Sequence, residues 1–166
     1  DDKIRFDIAG EEKLVLRNNA NGASQLHLIG LGNNTFLGNT AGNATAPILW
    51  SRGDNNSFIG AYSGLSNNTG RYNTALGSVS LYYNTSGNDN TAIGTRALFS
   101  HQTGSRNTAL GVEALYQDTS GFDNTALGYA TLYANKSGSN NTAIGIFSLD
   151  HNTTGNSNTG VGRATL

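Results

Sequence analysis

The sequence predicts an all-β protein whose main part is a parallel β-solenoid, a chain wound into stacked coils of equal length. The first observation is a block headed by Asn-Thr or Asn-Ser that recurs with a period of 17, six times without a slip. The heads of these blocks are Asn56, Asn73, Asn90, Asn107, Asn124, Asn141 and Asn158. The second observation is a pair of glycine columns inside the block. The third is that the runs between the glycines are too short for helices. A fixed period of this kind indicates a solenoid or an array.

The two glycine columns mark the turns of each coil. Numbered from the Asn as position 1, glycine occupies positions 5 and 15, as in Gly111 and Gly121. Glycine in a column indicates backbone with positive φ or a close approach to another backbone. Two glycines in every period also argue against a helical repeat, because glycine destabilises helix interiors and no 3.6-residue apolar stripe is present.

Two short runs lie between the glycines, and we expect each to form a strand. In the first run, Asn-Thr-Ala-Leu/Ile, alternation places Thr and Leu/Ile on one face and Asn and Ala on the other. We expect Leu/Ile of position 4 and Leu of position 9 to form the core, so that Thr of position 2 also points inward. Coils stacked about 4.7–4.9 Å apart would place Asn over Asn, an arrangement that stabilises such stacks.

The chain divides into two parts. Residues 1–32 do not repeat, and their stretches KIRFDI, KLVLR and QLHLIG predict a hairpin and a third strand that cap the solenoid. Residues 33–166 form the repeat region. Asn34 and Asn56 are 22 residues apart, five more than one period, which predicts an insertion near 43–52. Insertions in solenoids map to loops on one face, often the binding face.

A single coil has a thin predicted core. Burying the side chains of positions 4 and 9 contributes roughly 1.5–3 kcal/mol each. Ordering the backbone costs about 1 kcal/mol or more for each residue of the coil. We therefore expect the chain to oligomerise. Ala at position 3 and the small residues at position 8 would allow another chain to approach closely.

The bulk composition narrows the function classes. Formal net charge is −1, and only 13% of residues are charged, against about 25% in a typical soluble domain. No basic excess indicates a nucleic-acid partner. No apolar run approaches the length of about 18 residues that indicates a transmembrane helix, so we expect no membrane insertion in this segment. The chain has no Cys, which excludes disulfides and thiolate metal sites.

No set of side chains has the pattern of a catalytic or metal site. The three histidines, His27, His101 and His151, are too scattered for a metal constellation. Asp89 and Asp123 both precede a repeat Asn and could form a calcium column, but the intervening coil places Arg106 there. Paired carboxylates are also missing. We expect no enzyme activity, no metal and no cofactor.

Two features are candidate ligand-binding sites. The insertion and the coil that follows it hold Trp50, Arg52 and Asp54, and Arg52 to Asp54 spell the integrin-type tripeptide. For Trp50, a hydrophobic plug is an alternative to ligand contact. The second candidate is the aromatic column at position 10, formed by Tyr82, Phe99, Tyr116 and Tyr133. These rings could stack on sugars, or they could pack across a subunit interface.

The block NTA[LI]G, with its trailing AL and NTSG, resembles the β-roll heads of trimeric autotransporter adhesins of the YadA type. It resembles more closely the repeats of bacterial and phage fibre proteins that end in an intramolecular chaperone. In those proteins a segment like IRFDIAGEEKLVLR typically precedes the array. The resemblance implies a homotrimer at a cell surface or in a virion fibre, which contacts a glycan or protein receptor. The period of 17 differs from that of the adhesin heads, so their coil geometry is not carried over.

The functional expectation is a structural and adhesive fibre segment of a surface adhesin or tail fibre. The alternative is an ice-binding solenoid, in which a regular column of Thr orders water. An ice-binding face needs Thr to point outward. The expected inward orientation of Thr therefore argues against this alternative.

Overall fold

The computed structural model describes the backbone of three N-terminal strands and, in full, residues 34–38, 41–42 and 53–166. The N-terminal strands are β1 (Lys3–Ile8), β2 (Glu11–Asn18) and β3 (Ser24–His27). They form an antiparallel sheet in the order β1-β2-β3. Strands therefore occur where the sequence predicted them, while their role as a cap stays a prediction.

The repeat region is a parallel β-solenoid, as predicted. Its strands are β4 (Thr35–Leu37), β5 (Ser57–Ile59), β6 (Thr74–Leu76), β7 (Thr91–Ile93), β8 (Thr108–Leu110), β9 (Thr125–Leu127), β10 (Thr142–Ile144) and β11 (Thr159–Val161). They form one sheet in chain order. Each strand pairs in parallel with the next and in the same register, so that Thr108 lies beside Thr125. In the described part of the chain, no helix is long and apolar enough to cross a membrane.

The second predicted strand of each coil is absent from every described coil, and that prediction was wrong. Positions 6–11 form a tight arc of turns in which positions 7 and 9 have positive φ, for example 59° at Glu113 and 53° at Leu115. The arc still bonds to its neighbours. The N–H of Leu115 donates to the Thr131 carbonyl of the next coil, and that of Glu113 to the Thr95 carbonyl of the previous one. Alternating left-handed residues thus bend the chain while keeping its peptide groups paired.

The faces of the strand are the reverse of the expectation. Asn107 and Ala109 are fully buried, whereas Leu110 is 47% exposed and Thr108 is half-buried. The prediction that positions 2 and 4 point inward was therefore wrong. The cause is the Asn of position 1, whose amide must lie inside the coil to bond to its counterparts, and position 3 shares its face because strands alternate.

The interior of each coil combines a small and a large residue. Leu of position 9 is buried as predicted, with Leu81, Leu98, Leu115 and Leu132 fully inaccessible. It packs with Ala of position 3 and the small residue of position 8. Positions 3 and 8 therefore line the core of their own chain. The expectation that they admit a second chain was wrong.

The first two coils fill the same space with a different pair. Phe36 and Phe58 replace Ala at position 3, and their rings stack with centroids 5.3 Å apart. Position 9 is correspondingly glycine, at Gly42 and Gly64. A Cβ atom on Gly64 would collide with the Phe58 ring. The large residue has therefore moved from one wall of the coil to the other.

The two columns require glycine for different reasons, positive φ and close contact with another coil, and the sequence analysis predicted both. Gly111, at position 5, has a φ of 143°, and an added Cβ would collide with the Gly128 carbonyl group of the next coil. Gly104, at position 15, lacks positive φ, but an added Cβ would meet the Gly121 carbonyl oxygen and the His101 ring. Position 5 needs glycine for its positive φ and for its close contact with the next coil. Position 15 needs glycine only because neighbouring atoms leave no room for a Cβ atom.

Candidate functional site

A column of buried Asn side chains determines which residues reach the solenoid surface. The Asn107 backbone N–H donates to Asn90 Oδ1 over 3.0 Å, and its side-chain amide donates to the Gly121 carbonyl over 2.8 Å. Asn107 Oδ1 in turn accepts from the backbone N–H of Asn124 over 3.0 Å. The same pattern repeats from coil to coil. The internal ladder turns positions 2 and 4 toward the outside.

The outward face of the sheet carries an exposed apolar column, which we call the sheet stripe. It consists of the position-4 residues Leu37, Ile59, Leu76, Ile93, Leu110, Leu127, Ile144 and Val161. Leu76 is 45% exposed and Val161 66% exposed. Position 6 widens the apolar surface in the later coils, where Val112, Tyr129 and Ile146 are exposed. An apolar surface that continues through eight strands is typical of an interaction site.

The structure brings together the four aromatic residues predicted at position 10, which we call the ring ladder. Phe99, Tyr116 and Tyr133 stack with centroids 5.1 Å apart and rings within 5° of parallel. Tyr82 stacks on Phe99 at 5.3 Å. All four side chains are half-buried. Each ring face inside the ladder is covered by the next ring, so a saccharide or a partner chain would meet mainly ring edges.

A second internal column, at position 12, holds the one imidazole–carboxylate pair found inside the described coils. His101 Nδ1 lies 2.6 Å from Asp118 Oδ2, and His101 Nε2 lies 2.8 Å from the Gly104 carbonyl oxygen. Both side chains are inaccessible to solvent. Asp118 Oδ1 also accepts from the Gly121 N–H and the Asn135 amide. Since both ring nitrogens face oxygen atoms, only the protonated ring can donate to both.

The buried pair is closed to any substrate, so its role is structural. The sequence analysis treated His101 only as one of three scattered histidines. The signal that could have found the pair is the period itself, because Asp118 follows His101 by one full period and must therefore lie in the adjacent coil.

The column considered for calcium holds an ion pair. Arg106 lies between the coils of Asp89 and Asp123, and its Nε and Nη2 donate to the Asp123 carboxylate over 2.7 and 2.8 Å. This hydrogen bond and the charge of Arg106 lower the pKa of Asp123, and the same contact raises the pKa of Arg106. Among the described side chains, no three His, Asp or Glu residues come together as a metal site.

Of the candidate residues in and beside the insertion, only Asp54 is among the described residues. Trp50, Arg52 and the stretch 43–52 lie outside the described residues, as does the side chain of His27. Asp54 is described and half-buried, and its backbone carbonyl accepts from the Tyr72 N–H over 3.1 Å. No described contact joins Asp54 to the ring ladder.

The chain was compared with known proteins at the levels of family, sequence and structure. No family model matches it, and no curated protein or solved structure is significantly similar to it. The resemblance to adhesin heads and fibre repeats therefore depends on the residues of the repeat and of the segment that precedes it.

Proposed function

We propose that the chain is a structural and adhesive segment of an extracellular fibre, belonging to a cell-surface adhesin or a phage-type tail fibre. In this proposal it is a homotrimeric β-solenoid that presents or contributes a receptor- or glycan-binding surface. It acts without a cofactor and is not an enzyme. It holds binding elements away from the surface to which the fibre is attached.

The observation that carries the proposal is the sheet stripe. A single chain leaves an apolar column at least partly exposed on every coil from β4 to β11. Its residues repeat at the inter-strand spacing of about 4.8 Å. A partner that matches these residues coil by coil must have the same axial repeat. A second copy of this chain, lying parallel to the first, meets that requirement without further assumptions.

The mass in solution tests the assembly. Each chain has a mass of 17.3 kDa, and we expect light scattering to give the mass of three chains. The variant Leu110→Asp places a charge in the stripe and is expected to shift the mass toward that of one chain. The matched variant Ser120→Asp adds the same charge at an exposed turn and is expected to remain trimeric. A monomeric parent with a cooperative melt at micromolar concentration would exclude the trimer.

Receptor contact requires a separate assay. The trimer is applied to a glycan array and to cultured cells, with the Leu110→Asp variant as the unassembled comparison. We expect binding by the trimer that decreases when assembly is lost. A trimer that binds neither glycans nor cells would be a shaft without an adhesive role.

The ice-binding alternative gains support from the orientation of the strands. Thr108, Thr125 and their counterparts point outward on the sheet, one per coil, so the parity argument against an ice-binding face no longer holds. Thr and Leu/Ile of the same strand share this face. It therefore cannot contact ice and a neighbouring chain at once.

One pair of measurements separates the two functions. An ice-binding protein is expected to be monomeric along this face, to show thermal hysteresis, and to lose it in a Thr108→Tyr/Thr125→Tyr variant. A fibre segment is expected to be trimeric and to show no hysteresis above that of a control protein at equal concentration.

A further inference from the structure

The solenoid has a second apolar column besides the sheet stripe, and the two follow the same coils. The ring ladder runs from Tyr82 to Tyr133, and Leu65 continues it by one coil. In the same coils the sheet stripe runs from Ile59 to Leu127. Positions 5–9 of each coil separate the two columns along the chain. Both have one apolar side chain per coil, and hence the same axial repeat.

Away from the threefold axis, rotational symmetry brings two different surfaces of each chain together in the proposed trimer. A ring of more than two identical chains closes through heterologous contacts, in which one patch meets a different patch on the neighbour. A fibre also needs parallel chains, because each must leave the assembly in the same direction. In such an assembly, the two unlike stripes on every subunit supply the two patches of each heterologous contact.

The area of one stripe also favours an assembly in which each chain uses both of its stripes. Five coils at about 4.8 Å per coil give a stripe about 24 Å long. With a width of about 12 Å, one stripe-to-stripe contact would bury about 600 Å² in total, below the roughly 1,000 Å² that a specific interface needs. The sheet stripe paired with itself over all eight of its coils would bury about 900 Å² in total, which is still below that value. In a closed ring, every chain is held by both of its stripes.

We propose that neighbouring copies of this chain pack the sheet stripe of one against the ring ladder of the next, each coil beside the same coil. Rotation about the fibre axis keeps equal coils at equal heights. Leu110 therefore meets the edge of Tyr116 of the adjoining copy, and Leu76 meets Tyr82. The half-buried rings gain aliphatic neighbours, and the exposed aliphatic side chains are covered. The pairing depends on the proposed trimer and assigns its contacting surfaces.

Cysteine cross-linking tests this pairing, because the chain has no Cys of its own. A Leu110→Cys chain and a Tyr116→Cys chain are expressed together and oxidised mildly. We expect a covalent dimer in the mixture and none when either variant is expressed alone. Random co-assembly places one facing pair in each mixed trimer, so about half of the chains should appear in the dimer band.

The matched control changes only the height of the second cysteine. Leu110→Cys co-expressed with Tyr82→Cys offsets the two residues by two coils, about 10 Å along the axis, which exceeds the reach of a disulfide. This mixture is expected to give no dimer. Equal cross-linking in both mixtures would contradict the coil-to-coil alignment.

The remaining outcomes separate this inference from the proposed function. Cross-linking of Leu110→Cys with itself would show that the sheet stripes meet one another, which overturns the pairing but leaves the trimer intact. Trimeric mixtures without any cross-link would also overturn it. Monomers in light scattering would instead reject the trimer itself. Circular dichroism of each variant confirms that the solenoid has formed.

Discussion

The exchange of large and small residues between Phe58 and Gly64 predicts a strong energetic coupling. Elsewhere the coil holds Ala at position 3 and Leu at position 9, so the double variant Phe58→Ala/Gly64→Leu recreates the usual pair. The backbone already permits it, because Gly64 has a φ of 58° and Leu81, its counterpart one coil later, has a φ of 50°. We expect either single change to be far more damaging than the two together.

The magnitudes follow from the packing. Phe58→Ala removes a fully buried ring and its stack on Phe36, and such truncations cost about 3–5 kcal/mol. Gly64→Leu forces a side chain into the Phe58 ring, and overpacking costs about 1–3 kcal/mol. Independent changes would therefore sum to about 6 kcal/mol. The double variant loses only a few carbon atoms and one ring stack, so we expect about 2 kcal/mol.

The assay is urea denaturation of the parent and the three variants at one fixed protein concentration, since oligomer stability depends on concentration. The expected result is a coupling of about 4 kcal/mol in favour of the double variant, which is large even for residues in contact. If the free energies of the single variants add, Phe58 and Gly64 do not share one space, and the explanation of the first coils is wrong.

Three further predictions concern the columns of the coil. Gly111→Val should cost several kcal/mol in urea denaturation, because a β-branched residue at positive φ also meets the next coil; an unchanged midpoint would show an ordinary turn. Asn107→Ala should cost about 3–5 kcal/mol by leaving buried ladder groups unpaired, while the neighbouring Thr108→Ala should change stability by under about 1 kcal/mol; equal effects would refute the ladder. Arg106→Ala should raise the pKa of Asp123 toward its ordinary value in an NMR titration. Because folding lowers that pKa, its stabilising effect is present above the unfolded pKa and lost as pH falls through the folded one; an unchanged titration would contradict the ion pair.

The period was the part of the fold that could be predicted from the sequence. Register, parallel pairing and the burial of Leu115 and its counterparts all follow from like residues lying in columns. The orientation of the strand did not follow. Hydrophobicity favoured Leu110 as the inward residue, whereas the hydrogen-bonding needs of Asn107 place Ala109 inside. A polar residue that must be buried outweighs an apolar residue that can be exposed.

The second strand was missed for a conformational reason. Leu115 and Glu113 have positive φ, which non-glycine residues seldom adopt, and no sequence pattern marks them for it. The ring ladder was predictable as a column, because the period requires it. That the ring faces cover one another could not be predicted, since it depends on the orientation that each ring adopts.

The buried pair of His101 and Asp118 has a consequence for a chain made of nearly interchangeable units. If one coil looped out, its two neighbours would stack directly on each other. Most contacts between coils would then be replaced by equivalent ones, so the misaligned solenoid would lose little stability. One exception is the junction between the coils of His101 and Asp118. Separating His101 from Asp118 leaves buried hydrogen-bonding groups without partners, which costs about 1–3 kcal/mol for each group. The pair thus favours the correct register of the coils over a register that is shifted by one coil.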